Sequence, residues 1–260
     1  MRQPWKWQRQ LNSNTVVSRG TTFFTLKMIP YKFLDIENHK DITRQLENLF
    51  LGELYLNVVD NGDHIFTFDS QYPDQPLYDI KKHRRLWNYV PLHDLFVKCP
   101  DLKKALDDNN FKVSACSVLV VSYDGSGSRL GLHSDASSGN TPYRLNWPVF
   151  QCSSGTRTTM YKMKPGSVNL LAAGRTSYVP PSQNLVAKEE TGIYNLVDVE
   201  SEIASFVMDR PLLFRYTIPH RVHDTEADVP YPRILISFDL DNDEYDILNL
   251  IRSKDTTSVI

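Results

Sequence analysis

Several features that would assign this chain at once are missing. Three cysteines, Cys99, Cys116 and Cys152, are few, odd in number and widely spaced, which argues against a disulfide framework or a zinc ribbon. They read as buried apolar residues suited to a reducing cytoplasm. No apolar run is long enough to cross a bilayer. The basic start "MRQPWKWQRQLNSNTVVSRG" is followed by no apolar h-region or small-residue cleavage site, so neither a membrane partner nor a secretory signal is expected. The net charge is −2, which supplies no broad attraction for nucleic acid. The run "KKHRR", Lys81 to Arg85, joins no other basic segment and reads as a solvated loop. Histidine is scarce too, with seven in the chain.

What is present describes an ordinary globular chain: 260 residues, 41% hydrophobic and 23% charged, enough for one large domain with a real core. Residues 1–20 read as a poorly ordered leader or a strand-end extension, which Trp5 and Trp7 at i, i+2 could tether to a sheet face. Residues 21–260 read as a single domain, with a helix-containing support over 21–110 and a β core over 111–245. "TTFFTLKMIPYKF" suggests a strand ending near Pro30. "DITRQLENLFLGELY" places Ile42, Leu46, Leu49, Phe50 and Leu54 at helical spacing behind Asp41 as N-cap. "DNGDH" lies between apolar runs as a hairpin loop does. "PLHDLFVKCPDLKKALDDNNF" reads as two short helices or one helix kinked at Pro100. Beyond Phe111 come short segments such as "FKVSACSVLVVSY", "YRLNWPVF", "RTTMYKM", "LLFRYTI" and "RILISFDL", with no helical pattern between them. The fold class is therefore α+β, mainly β: helices before residue 110 supporting an antiparallel double sheet.

Chemistry enters with "RLGLHSDASS". On an extended segment His133 and Asp135, at i and i+2, point to the same side, and imidazole and carboxylate are compatible donors for iron(II). The pair alone proves little, because His39-Lys40-Asp41 repeats the pattern where Asp41 is better explained as a helix cap. Its weight depends on a second histidine. "LLFRYTIPHRVHDTEADVPYPRILISFDL" supplies one: an apolar strand ends in His220, a polar loop follows, and the next strand begins with Arg233. Two histidines and a carboxylate on one face of a metal leave open positions for cosubstrate and oxygen.

Over residues 111–240 this arrangement resembles the iron(II)/2-oxoglutarate-dependent oxygenases, with "YDGSGSRLGLHSD" similar to the approach to the first two ligands and "IPHRV" with "PRILISF" similar to the distal half. The resemblance implies a double-stranded β-helix of the jelly-roll, cupin-like type. It implies His133, Asp135 and His220 as iron ligands and Arg233 as the partner of the far 2-oxoglutarate carboxylate. Tyr123 would help hold the same cosubstrate, although it also suits a buried strand as a β-former. The implied activity is hydroxylation of a small-molecule or side-chain substrate, with 2-oxoglutarate and O2 as cosubstrates and succinate as coproduct. Asp135, in place of Ala or Gly, argues against a halogenating variant.

Strand alternation adds to this set. Arg233, Leu235 and Ser237 share a strand face, which brings the Ser237 hydroxyl toward the same pocket. Arg144 and Asn146 share a face opposite Tyr143, Leu145 and Trp147; they contact 2-oxoglutarate or substrate if that face lines the cavity, and are a solvated outer face otherwise. The chain departs from the family at Leu235, where a serine or threonine is usual two positions after the arginine. His220 stands 13 positions before Arg233, more than is usual, so His223, ten before it, competes as the third ligand. His220 is preferred because it closes the apolar strand and is followed by Arg-Val. The alternative readings are a catalytically silent member of the same fold acting as a binding or structural module, and a metal hydrolase or isomerase that would need no Arg233 pocket.

Overall fold

Alternation of apolar residues on both faces of its central strands gives this chain a sheet that can be covered twice. A computed structural model describes residues 29–58, 64–68, 85–121, 128–133, 141–153, 155–163, 197–225 and 232–253. The elements run β1 (Tyr31–Phe33), α1 (His39–Glu53), β2 (Tyr55–Val58), β3 (His64–Thr67), β4 (Arg85–Tyr89), α2 (Leu92–Lys98), α3 (Pro100–Asp108) and β5 (Val113–Val121). They continue with β6 (Ser128–His133), β7 (Tyr143–Phe150), β8 (Thr156–Met163), β9 (Val197–Phe206), β10 (Leu212–Arg215), β11 (His220–Asp224), β12 (Arg233–Leu240) and a fourth helix, α4 (Glu244–Ser253). A six-stranded sheet has the order β1-β10-β7-β12-β5-β4, a four-stranded sheet the order β6-β11-β8-β9, and β2 pairs with β3. Every strand pairing among the described residues is antiparallel. The chain is thus α+β and mainly β. From β5 to β12 it steps repeatedly between the two larger sheets.

Period-two alternation sorts the large sheet into two buried faces. Cys116, Val118 and Val120 of β5, Tyr143, Leu145 and Trp147 of β7, and Ile234, Ile236 and Phe238 of β12 form one cluster with helical residues. Those partners include Leu46 and Phe50 of α1, Leu102 and Leu106 of α3, and Ile247 and Ile251 of α4. The other face carries Leu119, Leu212, Phe214 and Leu235, which cluster with Met160, Phe206 and Val222 of the small sheet. The space between the two sheets is where polar groups on this second face meet.

The expected helix over "DITRQLENLFLGELY" forms, with Ile42, Leu46, Leu49 and Phe50 buried. Its cap differs from expectation. Asn38, at φ 58, precedes the helix, and Asp41 sits inside the first turn with Arg44 3.4 Å away. Asparagine tolerates the left-handed region, and an acid in the first turn favours the helix dipole, so Asp41 helps without capping. β1 starts one residue after Pro30 as the sheet edge, and the Pro30 carbonyl accepts the Arg215 N–H; residues 21–28 of the expected strand lie outside the described residues. Proline without an N–H suits that place. Two helices separate at Cys99, with Pro100 at the start of α3. The hairpin strands β2 and β3 pair as "DNGDH" suggested, while residues 59–63 themselves lie outside the described residues.

Helix α4 contradicts the expectation that helices stop before residue 110. Its signals were present: the Asp246 N–H donates to Asp243 Oδ1 at 2.7 Å, and Ile247, Leu250 and Ile251 share one side. No helix among the described residues is long and apolar enough to cross a membrane. All three cysteines are free and buried, and burial pushes the Cys99 and Cys116 thiols up. Native protein is therefore expected to react with a thiol reagent such as DTNB far more slowly than unfolded protein, with all three thiols titrating only after guanidinium is added.

Candidate functional site

Strands β6 and β11 bring the two halves of the histidine pattern together. His133, the last residue of β6, pairs directly with His220, the first of β11. Directly opposed residues of an antiparallel ladder share one face of the sheet. Beyond this pair the register shifts, because Gly131 and Leu132 oppose the single residue Arg221. Such bulges bend a strand and re-aim its end. Asp135 and Tyr123 lie outside the described residues. Among the described residues no three His, Cys, Asp or Glu side chains converge as a metal group.

His220 opens β11; it does not close an apolar strand as the sequence suggested. β10 ends at Arg215, and Tyr216 to Pro219 turn the corner between sheets. "HRVHD" reads as polar because only alternate residues face inward. Against β8 the strand keeps perfect register from His220↔Met160 to Asp224↔Thr156. His220 and Val222 therefore share the face that joins the inter-sheet cluster, and Arg221 and His223 take the other. Arg221 lies 5.5 Å from the Tyr161 ring centre.

The His220 ring is 4% exposed and stands edge-on to Phe214, centroids 4.7 Å apart at 89°. Its Nδ1 is 2.8 Å from the Ile218 carbonyl. A carbonyl only accepts, so Nδ1 carries the proton and Nε2 is the lone-pair nitrogen of the neutral ring. This is how metal-binding histidines are usually oriented. Tyr31, Phe33, Phe206 and Phe214 continue the aromatic packing away from it.

Arg233 begins β12 opposite Val121 and is 2% exposed. A guanidinium at that depth requires anionic or hydrogen-bonding company. Leu235 follows on the same face inside the inter-sheet cluster, then Ser237, then Asp239. Asn146 pairs directly with Ser237, and Arg144 with Asp239, so the face of β7 left open by the sequence lines the inter-sheet space. Arg144 Nε donates to Asp239 Oδ1 at 2.7 Å, and the guanidinium lies 4.6 Å from the Tyr216 ring centre. The Arg144 charge is thus engaged by a neighbour. Asp239, Ser117, Phe214 and the Ile218 carbonyl were not picked out from sequence. Asp239 was reachable by continuing the alternation Arg233, Leu235, Ser237; the other three depend on pairing partners that no local pattern states.

No family model and no curated protein sequence matches the chain. Solved structures do match, among them one described as the X-ray structure of E. coli ycfD. It is 10% identical, with a TM-score of 0.32, and covers 91% of this chain. The chain spans 54% of that structure's length. A likeness at this level carries no weight for function.

Proposed function

We propose that the chain is a non-haem iron(II)/2-oxoglutarate-dependent oxygenase, and that the stepping of β5 to β12 between two antiparallel sheets is a double-stranded β-helix of jelly-roll, cupin-like form. The observation that carries this reading is the register of β6 on β11. It sets His133 and His220, 87 positions apart in sequence, directly opposite one another, with Asp135 two residues beyond. Two imidazoles and a carboxylate fit iron(II), and the Ile218 carbonyl holds His220 in the tautomer that a ligand needs. His133, Asp135 and His220 would hold the ion. Bound there, iron(II) supplies oxygen chemistry in which decarboxylation of 2-oxoglutarate to succinate drives hydroxylation of a substrate carbon.

The chain's own part is binding, orientation and exclusion of water. β11 carries the backbone about 13 Å from His220 to Asp224, at roughly 3.3 Å per residue, before the chain returns at Arg233. A five-carbon dicarboxylate together with the arginine stem suits that span, and a planar guanidinium grips a carboxylate with two parallel bonds. Leu119, Leu235, Met160 and Val222 keep the surroundings apolar. We take residues 21–260 as one domain and the cytoplasm as its setting, where thiols and iron stay reduced. Neither nucleic acid nor membrane is assigned as a partner. Leu235 favours a second reading, a catalytically silent binding module, since it is buried on the Arg233 face where the family carries a hydroxyl.

Anaerobic addition of iron(II) and then 2-oxoglutarate decides between the two. The oxygenase is expected to show the weak visible charge-transfer band of the chelate. Arg233→Met is expected to need about 10–100-fold more 2-oxoglutarate for half the band, the worth of a charged hydrogen-bonded pair. Wild-type protein that shows no band would leave the silent module as the better account.

A further inference from the structure

Three polar side chains stand in a row across the large sheet. Ser117 of β5 pairs with Ser237 of β12, and Ser237 pairs with Asn146 of β7. They are 6%, 4% and 7% exposed. The row faces the small sheet, because Leu119 and Leu235, two positions along the same strands, belong to the inter-sheet cluster. Among the described residues no side-chain hydrogen bond joins the three to one another or to anything else, and Asn146 Oδ1 is shielded from solvent without a donor.

Native interiors satisfy such groups with protein, ordered water or a ligand, so the row is suited to a polar guest. Asn146 offers Oδ1 as an acceptor and Nδ2 as a donor, and the two hydroxyls can donate or accept. An occupant that satisfies Oδ1 must bring a hydrogen to give. A carboxylate could accept from Nδ2 and the hydroxyls but has no hydrogen for Oδ1, so an end of 2-oxoglutarate would leave that atom unmet. Among the described residues a cation finds no free counter-charge, because Asp239, the acid next along β12 on this face, is committed to Arg144. Burying an unpaired charge there is costly. What fits is a neutral group that both donates and accepts.

The row also has a defined place. Along β12 it lies about 14 Å from Arg233, four residues at roughly 3.4 Å each. On its other side, Phe214 pairs with Arg144 in the next row and packs against His220. The row is therefore toward the histidine end of the inter-sheet space, away from the arginine. We propose that Asn146, Ser237 and Ser117 form a substrate subsite for a neutral amide or hydroxyl group. Calling the occupant substrate rests on the oxygenase reading; the binding chemistry does not.

The test uses metal-free full-length protein without 2-oxoglutarate, and three small probes of matched shape: isobutyramide, isobutanol and isobutyrate. Proton–nitrogen spectra follow the Asn146 side-chain amide and the backbone amides of Ser117, Asn146 and Ser237. The amide or the alcohol is expected to shift these signals while the carboxylate does not, and whichever neutral probe binds tighter names the group. Asn146→Leu is expected to weaken that probe by about tenfold, the worth of one well-made hydrogen bond, and Ser237→Ala by a few fold. The spectra themselves report whether each variant is folded, and Ser237→Ala stands if Asn146→Leu is not. The inference is overturned if isobutyrate binds as well as the neutral probes, if neither neutral probe binds, or if both variants bind like wild type. With no iron present, these outcomes are independent of the charge-transfer band, so either reading can fail alone.

Discussion

Trp147→Ala is expected to lower stability by about 3–5 kcal/mol, the range for removing a buried indole from a packed core. Trp147 is 0% exposed, lies on the helix-facing side of β7 opposite Ile236, and donates its Nε1–H to Thr43 Oγ1 of α1 at 2.9 Å. It thus ties the helical layer to the sheet whose other face carries the site. Truncation removes dispersion contacts on every side, leaves a cavity that rigid strands cannot collapse into, and breaks the indole bond. Two milder variants separate these effects. Trp147→Phe keeps an aromatic body without the donor. Thr43→Val keeps the indole but leaves its N–H unmet, at a cost of about 1–3 kcal/mol. Urea unfolding measures all three, with a lower midpoint at unchanged slope as the expected form of the loss. A Trp147→Ala midpoint within error of wild type would mean that the helical layer contributes little to holding the sheet.

The parts legible in the sequence were those that a short window determines. Helix α1 could be read because Ile42, Leu46, Leu49 and Phe50 repeat at its pitch, and β7 and β12 because they alternate over eight residues. The sides of Arg144 and Asn146 followed from that alternation, but whether their face pointed inward did not, since pairing to β12 decides it. β11 was read as loop for a related reason. Its inward residues are His220 and Val222, and a strand with one apolar position and a register shift has no periodic signature. Helix α4 is a different kind of miss, because its cap and apolar spacing were both local. The setting of His220 was also misread: it was chosen for closing a strand, and it opens one.

His220→Ala is expected to abolish the iron and 2-oxoglutarate band and to weaken iron(II) binding by at least about 100-fold, beyond the 10–100-fold that losing a mere supporting contact costs. His223→Ala is expected to leave both nearly unchanged. The contrast follows from alternation on β11. Against β8 the strand has no register shift, so residues three apart face opposite sides, and only His220 shares a face with Val222 and the inter-sheet cluster. His220 is also the residue opposite His133. The Ile218 carbonyl holds its Nδ1 proton, so the lone pair that a metal needs is already on Nε2. His220→Ala also removes the edge-on partner of Phe214, so loss of fold must be separated from loss of metal. His220→Gln, which refills most of the ring's space without an imidazole, provides that control: wild-type melting with no band assigns the loss to the ligand. If His223→Ala abolished the band while His220→Ala kept it, the metal would lie on the other face of β11, and Arg233 would no longer be placed to hold its cosubstrate.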